Sequence, residues 1–131
     1  MKSRTIFTII GTVHILIGIS LIGMIPNFDE AIKTWISSDI PSDTKDLIIG
    51  QTRVIIVHSI GIGVILLNCR RLSNITDIKR VLFGYLIMTA LILTNIAHGI
   101  ANDQGGPPMP IIMLYAVGAF VSSFGMIRLR E

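Results

Sequence analysis

The stretch TIFTIIGTVHILIGISLIGMI, residues 5 to 25, decides the fold class. It runs for 21 residues without Asp, Glu, Lys or Arg. A helix rises about 1.5 Å per residue, so this run reaches roughly 31 Å and matches a hydrocarbon core of about 30 Å. Lys2 and Arg4 before it would also suit the start of a secretory signal. The apolar run is longer than a signal core of about 7 to 15 residues, and no small-x-small site follows Gly23 to Pro26. The expectation is an uncleaved anchor.

Three further uncharged runs follow outward from this one. Val54 to Cys69 extends back past Arg53 and Gln51 to Leu47; Val81 to Asn102 is a second; Gln104 to Ile127 is a third, opened by Pro107, Pro108 and Pro110. Proline suits the first helical turn, where backbone N–H groups have no intrahelical partner. The sequence therefore predicts a single all-α transmembrane domain over 1–131, an integral membrane four-helix bundle. Its spans are expected near 5–25, 47–69, 81–102 and 107–127, with an outer loop over 26–46. Composition agrees. Of 131 residues, 51% are apolar and 15% charged, against roughly 25% charged in an ordinary soluble domain. That excludes a soluble enzyme, and the lone Cys69 excludes a disulfide scaffold.

Basic residues set the expected orientation. Lys2 and Arg4, Arg70, Arg71, Lys79 and Arg80, and Arg128 and Arg130 all fall on one side. Lys33, Lys45 and Arg53 lie on the other, among Asp29, Glu30, Asp39, Asp43, Asp46 and Asp103. By the positive-inside rule the protein is expected to be multi-pass in the cytoplasmic (plasma) membrane, with both termini cytoplasmic. The formal charge of +3 is then a topology signal, and no basic soluble face exists to bind nucleic acid. In the outer loop, Asn27 or Asp29 can cap a short helix that puts Phe28, Ile32, Trp35 and Ile36 on one side, an expected interfacial helix.

Polar residues inside the spans are the candidate functional groups, because such residues usually face the bundle interior or a partner. Counted from the basic residues at about 1.5 Å each, His14 and His58 lie level at about 15 and 18 Å, Asn95 near 22 Å, Arg53 near 25 Å and His98 near 27 Å. Helical spacing groups them into one stripe per span: Gly11, His14 and Gly18; Gln51, Val54, His58 and Gly61; Asn95, His98 and Asn102; Tyr115, Gly118, Ser122 and Gly125. The glycines, with Tyr115 and Ser122, are read first as close helix packing.

His14, His58, Asn95, His98 and Arg53 are the candidate ligand-binding set. Imidazoles at matching depth on two helices could ligate a haem through His14 and His58. A three-histidine metal site is opposed by the height of His98, and no metal site is assigned. A quinone, lipid or isoprenoid asks for an apolar cleft with a few convergent polar groups, which His58, Asn95, His98 and Arg53 would supply. Arg53 either turns into that cleft or snorkels to the headgroups. Proton-coupled export is disfavoured because no acidic residue lies in a span. Cys69 is read as a small apolar residue at the membrane edge.

No catalytic motif is identified. The leading expectation is an accessory or structural subunit, whose partners are the bilayer and larger membrane subunits or a second copy. The alternative is a binder of a quinone, lipid or haem with a redox-linked role, in a pocket opening outward.

From Gly11 to Gly18, with His14 between, and again from Asn102 to Pro108, the sequence resembles small prokaryotic four-span membrane proteins of the DoxX-like kind. These often open with a Gly- and His-containing helix, continue through an extracytoplasmic loop, and place a Gly- and Pro-containing turn before the last span. The resemblance covers the layout of most of the chain and implies association with membrane redox partners. It carries over no catalytic residues.

Overall fold

A computed structural model describes residues 2–27, 41–102 and 107–129. Within them lie four α-helices: α1 (Ser3–Met24), α2 (Ser42–Asn68), α3 (Ile75–Ala101) and α4 (Met109–Arg128). Each is long and apolar enough to cross a membrane. In hydrocarbon the backbone has no water to bond, so an uninterrupted apolar run satisfies its N–H and C=O groups as helix. The all-α four-helix architecture is as expected. The expected interfacial helix and the turn at 103–106 lie outside the described residues.

The second and third helices outrun their apolar stretches. At 27 residues each, about 40 Å by helical rise, they exceed the hydrocarbon thickness and must tilt or project. Charge removes a residue from lipid but does not end a helix, so α3 begins at Ile75 rather than Val81. Asn74 caps it by accepting a 2.9 Å bond from the Thr76 amide, and Asp77 suits the positive first turn. A short 3-10 turn, Cys69–Arg71, joins α2 to this start.

Packing follows an uneven pattern. Helix α1 packs on α2 and on α4, and α4 packs on α3, whereas α2 and α3 barely approach one another. The α1–α2 contact is a backbone crossing: a Cβ placed on Gly63 would stand 2.8 Å from the Gly11 carbonyl oxygen, and one on Gly11 2.9 Å from that of Gly63. Only glycine permits this approach, the device by which helices associate where lipid removes the hydrophobic drive.

The start of α1, the α2–α3 turn and the end of α4 share one end of the bundle, here termed the basic end. Near it Ile6, Phe7, Ile10, Leu66, Ile78, Leu82 and Tyr85 form a closed core. Gly125 admits Ile6 and Leu82 against α4. Toward the other end Val13, Ile17, Leu21, Ile56, Ile111 and Tyr115 form a second cluster. Here the buried positions of α3 stop at Thr89. The helices remain, but the centre is no longer filled.

Candidate functional site

Above the closed core a cleft of about 680 Å³ lies in the gap between α2 and α3, with α1 and α4 behind it. Most of its wall is Ile, Leu and Val. Its polar groups are His14, Thr52, His58, Ser59, Asn95 and Tyr115, contributed by all four helices. Val54, Ile55 and Leu91 line it while remaining half or more exposed, so the cleft opens sideways between α2 and α3.

His14 is the deepest polar group, 1% exposed. Its ring stands edge-on to Tyr85 and Tyr115, with centroids 5.3 and 5.7 Å away. Neither ring nitrogen has a hydrogen-bond partner. A neutral imidazole has one donor and one acceptor, and burying both unpaired costs about 1 to 3 kcal/mol per group. The i, i+3, i+7 spacing of Gly11, His14 and Gly18 accounts for this placement, since all three are buried on the inner face of α1.

His58 sits higher. Gly11 faces Gly63 and Gly18 faces Ile56 and Ile60 across the antiparallel crossing, which sets His14 opposite about residue 60 and His58 about 3 Å farther along. Its Nδ1 lies 2.8 Å from the Val54 carbonyl. A carbonyl only accepts, so in the neutral ring Nδ1 carries the proton and Nε2 is left with a lone pair. Thr52 donates to the Ile48 carbonyl at 2.8 Å, and Ser59 approaches the Tyr115 phenol.

The structure thus brings His14, His58 and Asn95 to one cleft and leaves His98 and Arg53 outside it. His98 is exposed near the end of α3, its Nε2 3.3 Å from Asn102 Nδ2, which also donates to the His98 carbonyl at 2.8 Å. Arg53 follows Thr52 by one residue, a turn of about 100° that carries it from the packed face to the exposed one. The three histidines do not converge, and no group of three or more His, Cys, Asp or Glu poised for a metal occurs among the described residues.

Two expected stripes need correction. The packed face of α2 is Thr52, Ile56, Ser59, Gly63 and Leu66, not Gln51, Val54, His58 and Gly61, which are all exposed. On α3 the inner face is Ile78, Leu82, Tyr85 and Thr89, while Asn95, His98 and Asn102 are exposed. The α4 stripe Tyr115, Gly118, Ser122 and Gly125 is buried as expected. Thr52 and Ser59 were findable: they stand seven residues apart, with Ile56 and Gly63 on the same stripe.

Compared with protein-family models, curated proteins and solved structures, the chain matches none.

Proposed function

We propose that this multi-pass protein lies in the plasma membrane with both termini cytoplasmic, and that its cleft holds the polar head of a hydrophobic, carbonyl- or hydroxyl-bearing ligand. The ligand class is a quinone, lipid or isoprenoid. One observation carries the reading: an almost fully buried imidazole, His14, lines an apolar cleft with both nitrogens unpartnered. A ligand carbonyl would accept a hydrogen bond from its N–H, a ligand hydroxyl would donate one to its lone pair, and His58 Nε2 and Asn95 would bond what stands nearer the mouth. The sideways opening supplies an entry path for the apolar tail from the bilayer. The layout shared with DoxX-like proteins adds support for a redox-linked ligand. The distribution of basic residues supports the orientation.

The test is to extract the full chain with its surrounding lipid in polymer-bounded discs, record an absorbance spectrum, and identify bound molecules by mass spectrometry. One amphiphile enriched over bulk lipid is expected, lost in His14→Leu and reduced in His58→Ala and Asn95→Ala. Identical profiles for the wild-type and His14→Leu proteins, both folded, would refute the cleft as a binding site. A Soret band dependent on His14 and His58 would identify haem as the occupant.

A second reading, an accessory subunit of a larger membrane complex, is favoured by the outward-facing polar pair His98 and Asn102 at the end of α3. Purification in gentle detergent with a larger subunit, lost in His98→Ala, would support it; a protein that migrates alone from every membrane extract would oppose it.

A further inference from the structure

A second concavity, of about 390 Å³, lies at the basic end, far from His14. It is lined by Lys2, Ser3 and Arg4 from the start of α1 and by Arg70, Arg71 and Ser73 from the α2–α3 turn. The fold brings these two segments together, because the 3-10 turn packs against α1 and Leu72 joins the closed core. Four cations from two distant parts of the chain thus surround one hollow.

Their charge is uncompensated among the described residues. No carboxylate pairs with Lys2, Arg4, Arg70 or Arg71, whereas Arg80 nearby has Asp77 at 3.5 Å and Arg128 lies 5.6 Å from the centre of the Phe124 ring. The first turn of α1 contains no acidic residue. Gathering like charges is unfavourable unless an anion joins them, and a topology signal alone requires only that cations lie on one side, not that they converge. Two hydroxyls, Ser3 and Ser73, stand in the same wall. Arginine forks and hydroxyls together match the tetrahedral oxygens of a phosphate. The hollow sits beside Leu72 and one turn from buried Phe7, at the edge of the apolar zone where headgroups lie.

We propose that this hollow is a binding site for a phosphate group, with Arg4, Arg70 and Arg71 contacting its oxygens. Two sources share that chemistry, the headgroup of an anionic lipid and free inorganic phosphate, and its depth favours the lipid.

The experiment places the full chain in phosphatidylcholine discs and measures, by native mass spectrometry and melting temperature, the effect of added phosphatidylglycerol or inorganic phosphate. Phosphatidylglycerol should be retained and should raise the melting temperature more than inorganic phosphate does. In R70Q/R71Q, retention should fall about 25-fold, about fivefold for each cation removed. The pair K79Q/R80Q, equal in charge change but outside the hollow, should retain most of it. K2Q/R4Q repeats the test from the other wall, and in pure phosphatidylcholine, where no anion offsets the repulsion, both hollow variants should melt no lower than the wild type. A response to inorganic phosphate alone, lost in both hollow variants, would keep the site and assign it to the free anion. Equal losses in R70Q/R71Q and K79Q/R80Q, or no binding of either probe, would overturn the proposal.

Discussion

Near the basic end Phe7 and Ile10 of α1 and Leu82 of α3 fill the centre of the bundle, while two turns beyond Ile10 on α1 Ile17, with Tyr115 of α4, lines an open cleft. Hydrophobicity does not distinguish the two halves, because both are apolar and lipid tails are as apolar as either. The difference lies in what lets helices meet. In the closed half Gly11 and Gly63 bring backbones together, and Gly125 accepts Ile6 and Leu82. In the open half α3 offers no buried residue beyond Thr89 to a facing helix, and α2 stays with α1. Gly18 still brings α1 close to Ile56 and Ile60 of α2 at this level, so the recess survives because α3 sends no buried side chain to the pair beyond Thr89.

This contrast can be broken most severely at the crossing. Gly63→Val drives branched carbons into the Gly11 backbone, and a loss of about 3 kcal/mol is expected, near the upper end for overpacking. Reversible unfolding in mixed micelles would measure it, and a loss below about 1 kcal/mol would mean that the crossing relaxes. Next, Phe7→Ala empties the closed half. Since the unfolded reference is also in lipid, only the packing defect counts, about 2 kcal/mol for a void of about 100 Å³. Leu91→Ala at the cleft edge should cost almost nothing in the same assay, and equal effects would erase the distinction between halves.

A smaller effect of opposite sign is expected at Ser122, whose hydroxyl is buried without a partner. Ser122→Ala should stabilise the bundle by about 1 kcal/mol. A loss of similar size would reveal a bridging water. Smallest is Gly61→Ala. Nothing stands within 4 Å of a Cβ there, so its melting temperature should stay level or rise slightly with the gain in helix propensity. A clear drop would mean that this face packs on something.

How much was legible in the sequence follows from the same physics. The four spans were readable because uncharged runs of membrane length are rare. The inner faces of α1 and α4 were readable because His14, Tyr115 and Ser122 interrupt otherwise greasy sequence at helical spacing. The inner face of α2 was not. Both of its sides are apolar, both carry a glycine, and only the partner's position separates Gly63 at the crossing from Gly61 facing outward. For α3, the polar run Asn95, His98 and Asn102 suggested an interior, yet near a helix end the same groups can reach headgroups. Of the candidate site, His14, His58 and Asn95 proved to share a cleft because their depths overlap. His98 and Arg53 were drawn in by chemistry alone, which carries no information on rotation about the helix axis.

The gap between α2 and α3 also changes what affinity would mean for the ligand proposed above. An occupant that arrives sideways never dissolves in water, so its effective supply is its mole fraction among neighbouring acyl chains. Titration from an aqueous stock would then report partitioning as much as recognition. Solubilising agents with single alkyl tails are of the right shape to slip in as impostors, so a test of the proposed occupancy needs a preparation that never replaces the native annulus.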